Sequence, residues 1–287
     1  MRAKGSTLVL LPAIAWVLCS LIPVTSQAAA ALRPPSVPLV ACDPYFSIWS
    51  PADKLTDADT VHWTGKPHRL ASLARIDGKA FRLMGKEPAA VPALPQTGLE
   101  VLPTRTIYTF EGQGLRLTLT FMTAALPEDL MIYSRPVTYV TWEALSADGG
   151  NHDVSVYFSA SAELTVNERS QQVVWFDEQV GNLDALRVGS KDQPILARKG
   201  DDVRIDWGYL YVAAPKGAPS FKTVDQRASC QDGYVTSGLT AINRPAPGQP
   251  AQADTITGAF LFNLGKVAAR PVSRWLMLAY DDEYSIQ

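Results

Sequence analysis

Two stretches near the front of the chain gather the residue types from which binding sites are made. CDPYFSIWS, Cys42 to Ser50, and TVHWTG, Thr60 to Gly65, set Tyr45, Phe46, Trp49 and Trp63 among Asp43, Ser47, Ser50, His62 and Thr64. Aromatic rings beside hydroxyls and a carboxylate suit a polar ligand or a sugar, because rings cover apolar faces while polar groups fix orientation. The same composition also serves as an aromatic plug that holds an N-terminal segment against a sheet, and composition alone favours the plug. Far downstream, Asp281, Asp282 and Glu283 form the one dense carboxylate cluster. Paired carboxylates divide acid and base roles when their environments separate their pKa values. Neighbours on an extended strand point to opposite faces, however, so a solvated strand end is the commoner reading.

The remaining chemistry is sparse. With three histidines in 287 residues, a histidine-based metal site is nearly excluded. His62 and His68 are six apart across a Gly-Lys-Pro turn, a spacing that fits no helical zinc pattern, so both are expected to be solvent-facing hydrogen-bonding residues. His152 beside Asp153 is expected to be a turn residue. Asp148, Asn151 and Asp153 in ADGGNHD offer oxygens for calcium but lack the later bidentate Glu, which leaves a hairpin loop. No glycine-rich phosphate loop, no Gly-x-Ser-x-Gly elbow and no paired Cys-x-x-Cys occurs, so neither cofactor nor metal is expected. A formal net charge of −2 without a basic block speaks against a nucleic-acid partner.

The elements that would position these groups are strands. LRLTLTF alternates Leu115, Leu117, Leu119 and Phe121 with polar residues. VSVYFSASAELTV does the same from Val154 to Val166, and VRIDWGYLY places Val203, Ile205, Trp207, Tyr209 and Tyr211 on one face. A period of two means strands with one buried face. Asp77-Gly78 between SLARI and KAFRLM is a tight hairpin signal, since both central positions tolerate positive φ. Glu111 to Gly114 and Ser146 to Asn151 divide further strand pairs. No window of helical length carries helical apolar spacing, and 19 glycines with 21 prolines interrupt the chain too often for helices. The expected class is all-β, a large antiparallel β-sandwich.

Residues 1–28 have the three parts of an export signal: Arg2 and Lys4, an apolar run from Leu8 to Val24, and small residues at Ser26-Gln27-Ala28. The two prolines in the run and its small-residue end favour a cleaved signal over a membrane anchor, hence a secreted or periplasmic protein. Cys42 and Cys230 would then meet an oxidising compartment, where pairing is permitted but not required by anything in the sequence. GKEPAAVPALPQTG, Gly85 to Gly98, is expected to be a surface linker.

PLVACDPYFSIWSPADKLTDADTVHWTG, Pro38 to Gly65, resembles the opening of secreted microbial proteins of the glutaminase A family. RPVTYVTWEAL, Arg135 to Leu145, and RWLMLAYDDEYSIQ, Arg274 to Gln287, resemble later landmarks of its N-terminal region. The resemblance implies a family segment with linker at residues 29–98, a β-sandwich at 99–287, and an α-helical barrel to follow. That barrel is absent from this chain, so the resemblance makes it a truncated, non-catalytic β-region, inactive alone, of an enzyme that converts glutamine to glutamate and ammonia. Asp43, Trp49, His62, Trp63 and Asp282 occupy matching motif positions and are candidates for a cleft at the interface with the barrel, where a glutamine or a glycan would bind. No catalytic role transfers to any of them; His62 is the first to test as a base. The alternatives are a carbohydrate-binding or glycoside-hydrolase-associated sandwich, in which Trp49, Trp63 and Trp207 stack on sugars, and a structural or docking module.

Overall fold

The computed structural model describes residues 33–239 and 246–283, so the export-signal reading of residues 1–28 and the YSIQ end of the last landmark lie outside the described residues. Strands follow in the order β1 (Val37–Ala41), β2 (Ser47–Ser50), β3 (Leu70–Ile76), β4 (Lys79–Met84), β5 (Gln96–Leu102), β6 (Arg105–Gly112) and β7 (Leu115–Thr123). A single helical turn α1 (Leu130–Tyr133) leads to β8 (Val137–Ser146), β9 (His152–Ser161), β10 (Gln172–Val180), β11 (Leu183–Ser190), β12 (Tyr209–Pro215) and β13 (Phe221–Gln226). Helix α2 (Arg227–Ser237) precedes β14 (Ala251–Gln252), β15 (Ile256–Val267) and β16 (Val272–Asp281).

These strands build the expected antiparallel sandwich. A nine-stranded sheet, β14-β10-β11-β12-β16-β8-β7-β6-β5, faces a five-stranded sheet, β13-β15-β9-β3-β4, and β1 pairs with β2 in a separate hairpin. The alternation in β7 holds: Leu115, Leu117, Leu119 and Phe121 are buried between the sheets. Asp77 and Gly78 take φ of 48° and 84° and close the β3–β4 hairpin. The proline-rich stretch at residues 85–98 crosses from β4 to β5, with Val91 and Leu94 buried and Leu94 N donating to Arg82 O.

Trp142 ties the two sheets. It lies on β8, fully buried, with its ring 5.6 Å from Phe158 on β9 and 5.9 Å from Phe262 on β15. Its indole Nε1 donates to Ser72 Oγ at 3.1 Å, and that hydroxyl donates to Tyr157 O at 2.9 Å. The indole N–H of one of the largest core side chains is therefore satisfied across the sandwich.

Three sequence expectations change. The run from Val154 to Val166 is a strand only to Ser161, because Ser161 Oγ accepts from Glu163 N and starts a 3₁₀ turn at Ala162–Thr165. Within that turn Glu163 is buried, held by Arg69 Nη1 at 2.6 and 2.7 Å and by Arg169 Nε at 3.1 Å. Residues 203–208 are irregular rather than strand, since side chains take the backbone groups a ladder would need. Asn167 Oδ1 accepts from Arg204 N at 3.0 Å and Gln193 Oε1 from Gly208 N at 2.6 Å. Gly208, at φ 73°, lies so close to Asp281 O that a Cβ has no room. The strand resumes one position out of phase, with Leu210 and Val212 inside and Tyr209 and Tyr211 outside.

The third change is α2, an 11-residue helix where none was expected. It covers the outer face of the five-stranded sheet, placing Cys230 and Tyr234 against Leu73, Tyr157, Ala259 and Leu261. That cover is why Tyr157, Ser159 and Ser161, the polar phase of β9, are buried as well. Tyr234 OH donates to Ser155 O at 2.9 Å and Arg75 Nη1 to Val235 O at 2.6 Å, which anchors the helix at its C-terminal end. Cys42 and Cys230 are free thiols, Cys230 beneath α2 and Cys42 beside the inter-sheet core.

At one end of the sandwich His152 joins the β3–β4 and β8–β9 connections. Its Nδ1 contacts Asp77 Oδ2 at 2.7 Å and its Nε2 contacts Asp148 Oδ1 at 3.1 Å. The hydrogen bonds to these two carboxylates raise the imidazole pKa, and the same contacts hold Asp148 down at about 2. His152 is thus a clasp between hairpins, and Asp148 serves the loop rather than an ion.

Replacing Trp142 with Ala removes a buried indole from between two sheets and orphans nothing but Ser72. Urea unfolding of Trp142→Ala is expected to show a loss of about 3–5 kcal/mol, against about 0.5 kcal/mol for a change on the outer face of the sheet such as Thr118→Ala.

Candidate functional site

The leading segment seals one end of the sandwich and forms the wall of a cleft of about 830 Å³. Asp43 opens the β1–β2 loop as an Asx turn, its Oδ1 accepting from Tyr45 N at 2.7 Å and Phe46 N at 2.8 Å. This turn drives Phe46 into the core beside Tyr280, ring centroids 5.8 Å apart, and sets Tyr45 edge-on to Trp207 at 5.4 Å. Tyr280 OH in turn donates to Trp207 O at 2.7 Å. Burial and the nearby carboxylates of Asp206, Asp282 and Asp43 push that phenol well above its ordinary pKa, so it stays a donor.

Behind the loop, one carbonyl oxygen gathers two donors. Pro44 O accepts from His62 Nε2 at 2.9 Å and from Trp63 Nε1 at 2.8 Å. The bond fixes the proton of His62 on Nε2, leaving Nδ1 to accept from Thr64 N at 3.3 Å and to contact Thr64 Oγ1 at 3.0 Å. His62 and His68 are both buried, not solvent-facing, with ring centroids 4.8 Å apart. Burial lowers both pKa values, that of His68 far below the usual value, with the charges of His62 and Arg204 adding to the effect. Two imidazoles in contact, beside a buried guanidinium, are held neutral because each positive charge would be desolvated and unpaired.

The cleft itself runs from the Asp43–Tyr45 loop to the β5–β6 turn and the β7–β8 crossover. Thr123 N donates to Thr104 O and Tyr280 N to Pro136 O, which locks those edges to the strands. Asp43 and Asp282 both line it, brought together from opposite ends of the chain. Trp49, His62 and Trp63 do not. Trp49 is half-buried with its Nε1 donating to Ser47 Oγ, and His62 lies behind the loop. Trp63 is 53% exposed but is not among the lining residues, and Trp207, proposed as a sugar platform, is buried. The aromatic stretch therefore divides: Phe46, Tyr45 and Trp207 are plug, and Trp63 alone offers a ring to solvent.

Sequence reasoning raised Cys42 only for pairing and did not single out Arg105 or Arg135. Cys42 lines it, its Sγ 3.7 Å from Thr138 Oγ1, and burial pushes its thiol pKa up. Arg105 and Arg135 line it too, without an ion pair among the described residues. Arg135 begins one of the quoted landmarks, which was the available signal. Among the described residues no group of three or more His, Cys, Asp or Glu is gathered as metal ligands would be, and no helix is long and apolar enough to cross a membrane.

Comparison with known proteins adds the following. The family model described as Domain of unknown function (DUF5127) matches residues 104–287, and a second, Domain of unknown function (DUF4964), matches residues 15–95. Glutaminase A of Aspergillus oryzae is 29% identical over 151 residues, covering 50% of this chain and 22% of the relative. A probable glutaminase of Arthroderma benhamiae is 25% identical over 235 residues, covering 71% of this chain and 26% of the relative. The chain thus spans about a quarter of the length of the curated relatives it matches. A bacterial glucoamylase complexed with acarbose matches in shape over 89% of this chain and 35% of its own, with 10% identity and a TM-score of 0.49. The heparan sulfate lyase HepC of Pedobacter heparinus matches over 67% and 22%, with 11% identity and a TM-score of 0.33. Likeness at that level does not bear on what the chain does.

The depressed pKa of His68 has a consequence for pH. A native value below the unfolded one makes stability full above about pH 6.5 and erodes it as the pH falls toward the native value, by about 1.4 kcal/mol per unit of depression. In urea titrations at pH 7 and pH 5, His68→Leu is expected to lose less stability on acidification than the parent chain. Parallel losses in the two proteins contradict a buried neutral His68.

Proposed function

The chain belongs to the DUF5127 family, and from that premise we propose that it is the β-sandwich region of a secreted amidohydrolase of the glutaminase A kind, without turnover of its own. The observation that carries this reading is the content of the cleft. Amide hydrolysis needs an activated water or nucleophile and donors for the oxyanion. Among the described residues no histidine lines the cleft, the Cys42 thiol is pushed away from its reactive form by burial, and Asp43 is spent on its own turn. Arg105, Arg135 and Asp282 remain, none in an ion pair among the described residues, groups that hold and orient a polar substrate or a neighbouring element rather than activate one.

The partner in this reading is an α-helical barrel, with glutamine or a glycan bound where the two meet. Its support is the similarity to two longer glutaminases and a partly exposed outer face on the nine-stranded sheet. There Val137, Tyr139, Trp275 and Met277 lie side by side on β8 and β16, with Tyr139 and Trp275 at 5.6 Å. An antiparallel sheet open to water on one face ordinarily alternates to polar residues there, so an apolar outer face fits a docking surface. Export rests on the charged, apolar and small-residue parts of residues 1–28.

Ammonia release from L-glutamine by the purified chain is expected to stay at the no-protein background. Turnover near the ~10 s⁻¹ typical of enzymes overturns the non-catalytic reading. A carbohydrate-binding role is favoured by one observation, Trp63, whose exposed indole is fixed through Nε1 to Pro44 O as a rigid platform. In that case glycan-array binding is abolished by Trp63→Ala; no binding to any glycan by the parent chain eliminates the role.

A further inference from the structure

The crossover from β7 to β8 carries the most exposed apolar surface of the described residues. Leu126, Leu130, Met131 and Tyr133 are 46%, 73%, 69% and 55% exposed, whereas Trp63, Val180, Leu196 and Leu239, the other large exposed hydrophobic residues, are scattered along the chain. The patch is not a frayed loop. Asp129 caps α1 through Ile132 N at 3.1 Å, and Ser134 N and Arg135 N donate to Leu130 O and Ile132 O. The backbone is tied down while no side chain of α1 is buried. Held outward in this way, the four side chains lose little conformational freedom on being covered.

Charge says what covers them. Glu128 precedes α1 and Arg135 follows it, both exposed and neither in an ion pair among the described residues. A two-fold axis lays a segment antiparallel against its own copy, so its leading end meets the copy's trailing end. A stretch that is acidic before its apolar turn and basic after it is therefore complementary to itself.

We propose that the Leu126–Arg135 crossover is an isologous contact between two copies of this chain, with the apolar side chains of the two α1 turns against one another and Glu128 of each copy facing Arg135 of the other. A partner of different sequence would have to reproduce this pattern; a second copy already carries it. Four side chains of this exposure offer roughly 400 Å² per copy, about 800 Å² in total and below the ~1,200 Å² at which stable interfaces begin, so the association is weak and reversible.

Analytical ultracentrifugation of the full chain from about 5 to about 500 µM tests it. The average mass is expected to climb toward twice the monomer, and Met131→Asp to remain monomeric with an unchanged far-ultraviolet circular dichroism spectrum. Glu128→Arg weakens association about fivefold, the effect of losing two exposed pairs together, and the double variant Glu128→Arg/Arg135→Glu restores it. A chain that stays monomeric throughout, with the patch left to some other partner, overturns the proposal. So does a dimer indifferent to Met131→Asp, or a charge reversal that the second reversal does not rescue.

Discussion

The carbonyl oxygen of Pro44 is the point on which the candidate site depends. It takes an N–H from His62 and another from Trp63, and both bonds require the loop from Asp43 to Tyr45 to lie flat across the end of the sandwich. The first of them further requires a proton on His62 Nε2. Because the ring is buried beside His68 and Arg204, the neutral form is the one the surroundings favour. A single desolvated tautomer thereby orients the loop, the loop orients Phe46 and Tyr45, and these close on Tyr280 and Trp207. The cleft is what remains between that closure and the β5–β6 and β7–β8 edges.

This chain of dependence explains why the residues most suggestive of catalysis have structural work. A buried imidazole whose Nε2–H is held by Pro44 O and whose Nδ1 lone pair already accepts from Thr64 N is a poor general base, since taking a proton there would create a desolvated charge. A carboxylate that accepts two backbone N–H groups is likewise a turn former. What faces the cleft among the described residues is a mixed set of charges without an activated nucleophile.

Much of the architecture was legible from side-chain period. The β7 alternation and the Asp77-Gly78 hairpin are properties of neighbouring residues, so local reading recovers them. The failures share a cause, namely side chains that reach across the fold to claim backbone groups. Ser161 ends β9 by capping a turn, and Asn167 and Gln193 deny residues 203–208 a ladder. Helix α2 buries little beyond Cys230, Gln231 and Tyr234, too few positions to make a helical stripe, although Gly238 at its left-handed C-terminal position was a usable stop signal. In the site, Asp43 and Asp282 came from the family resemblance and do share the cleft. The burial of His62 and His68 depends on what covers them, and the Gly-Lys-Pro turn between them read only as exposed loop.

Nuclear magnetic resonance titration of the imidazoles in the untagged chain tests this account most directly, because its three histidines occupy three distinct surroundings. His62 and His68 are expected to remain neutral as the pH falls below 6.5, with His62 protonated on Nε2 alone, while His152 holds its extra proton above 6.5. A His62 that titrates near 6.5 and exchanges its Nε2 proton freely would contradict the account, because such a ring is neither buried nor held by Pro44.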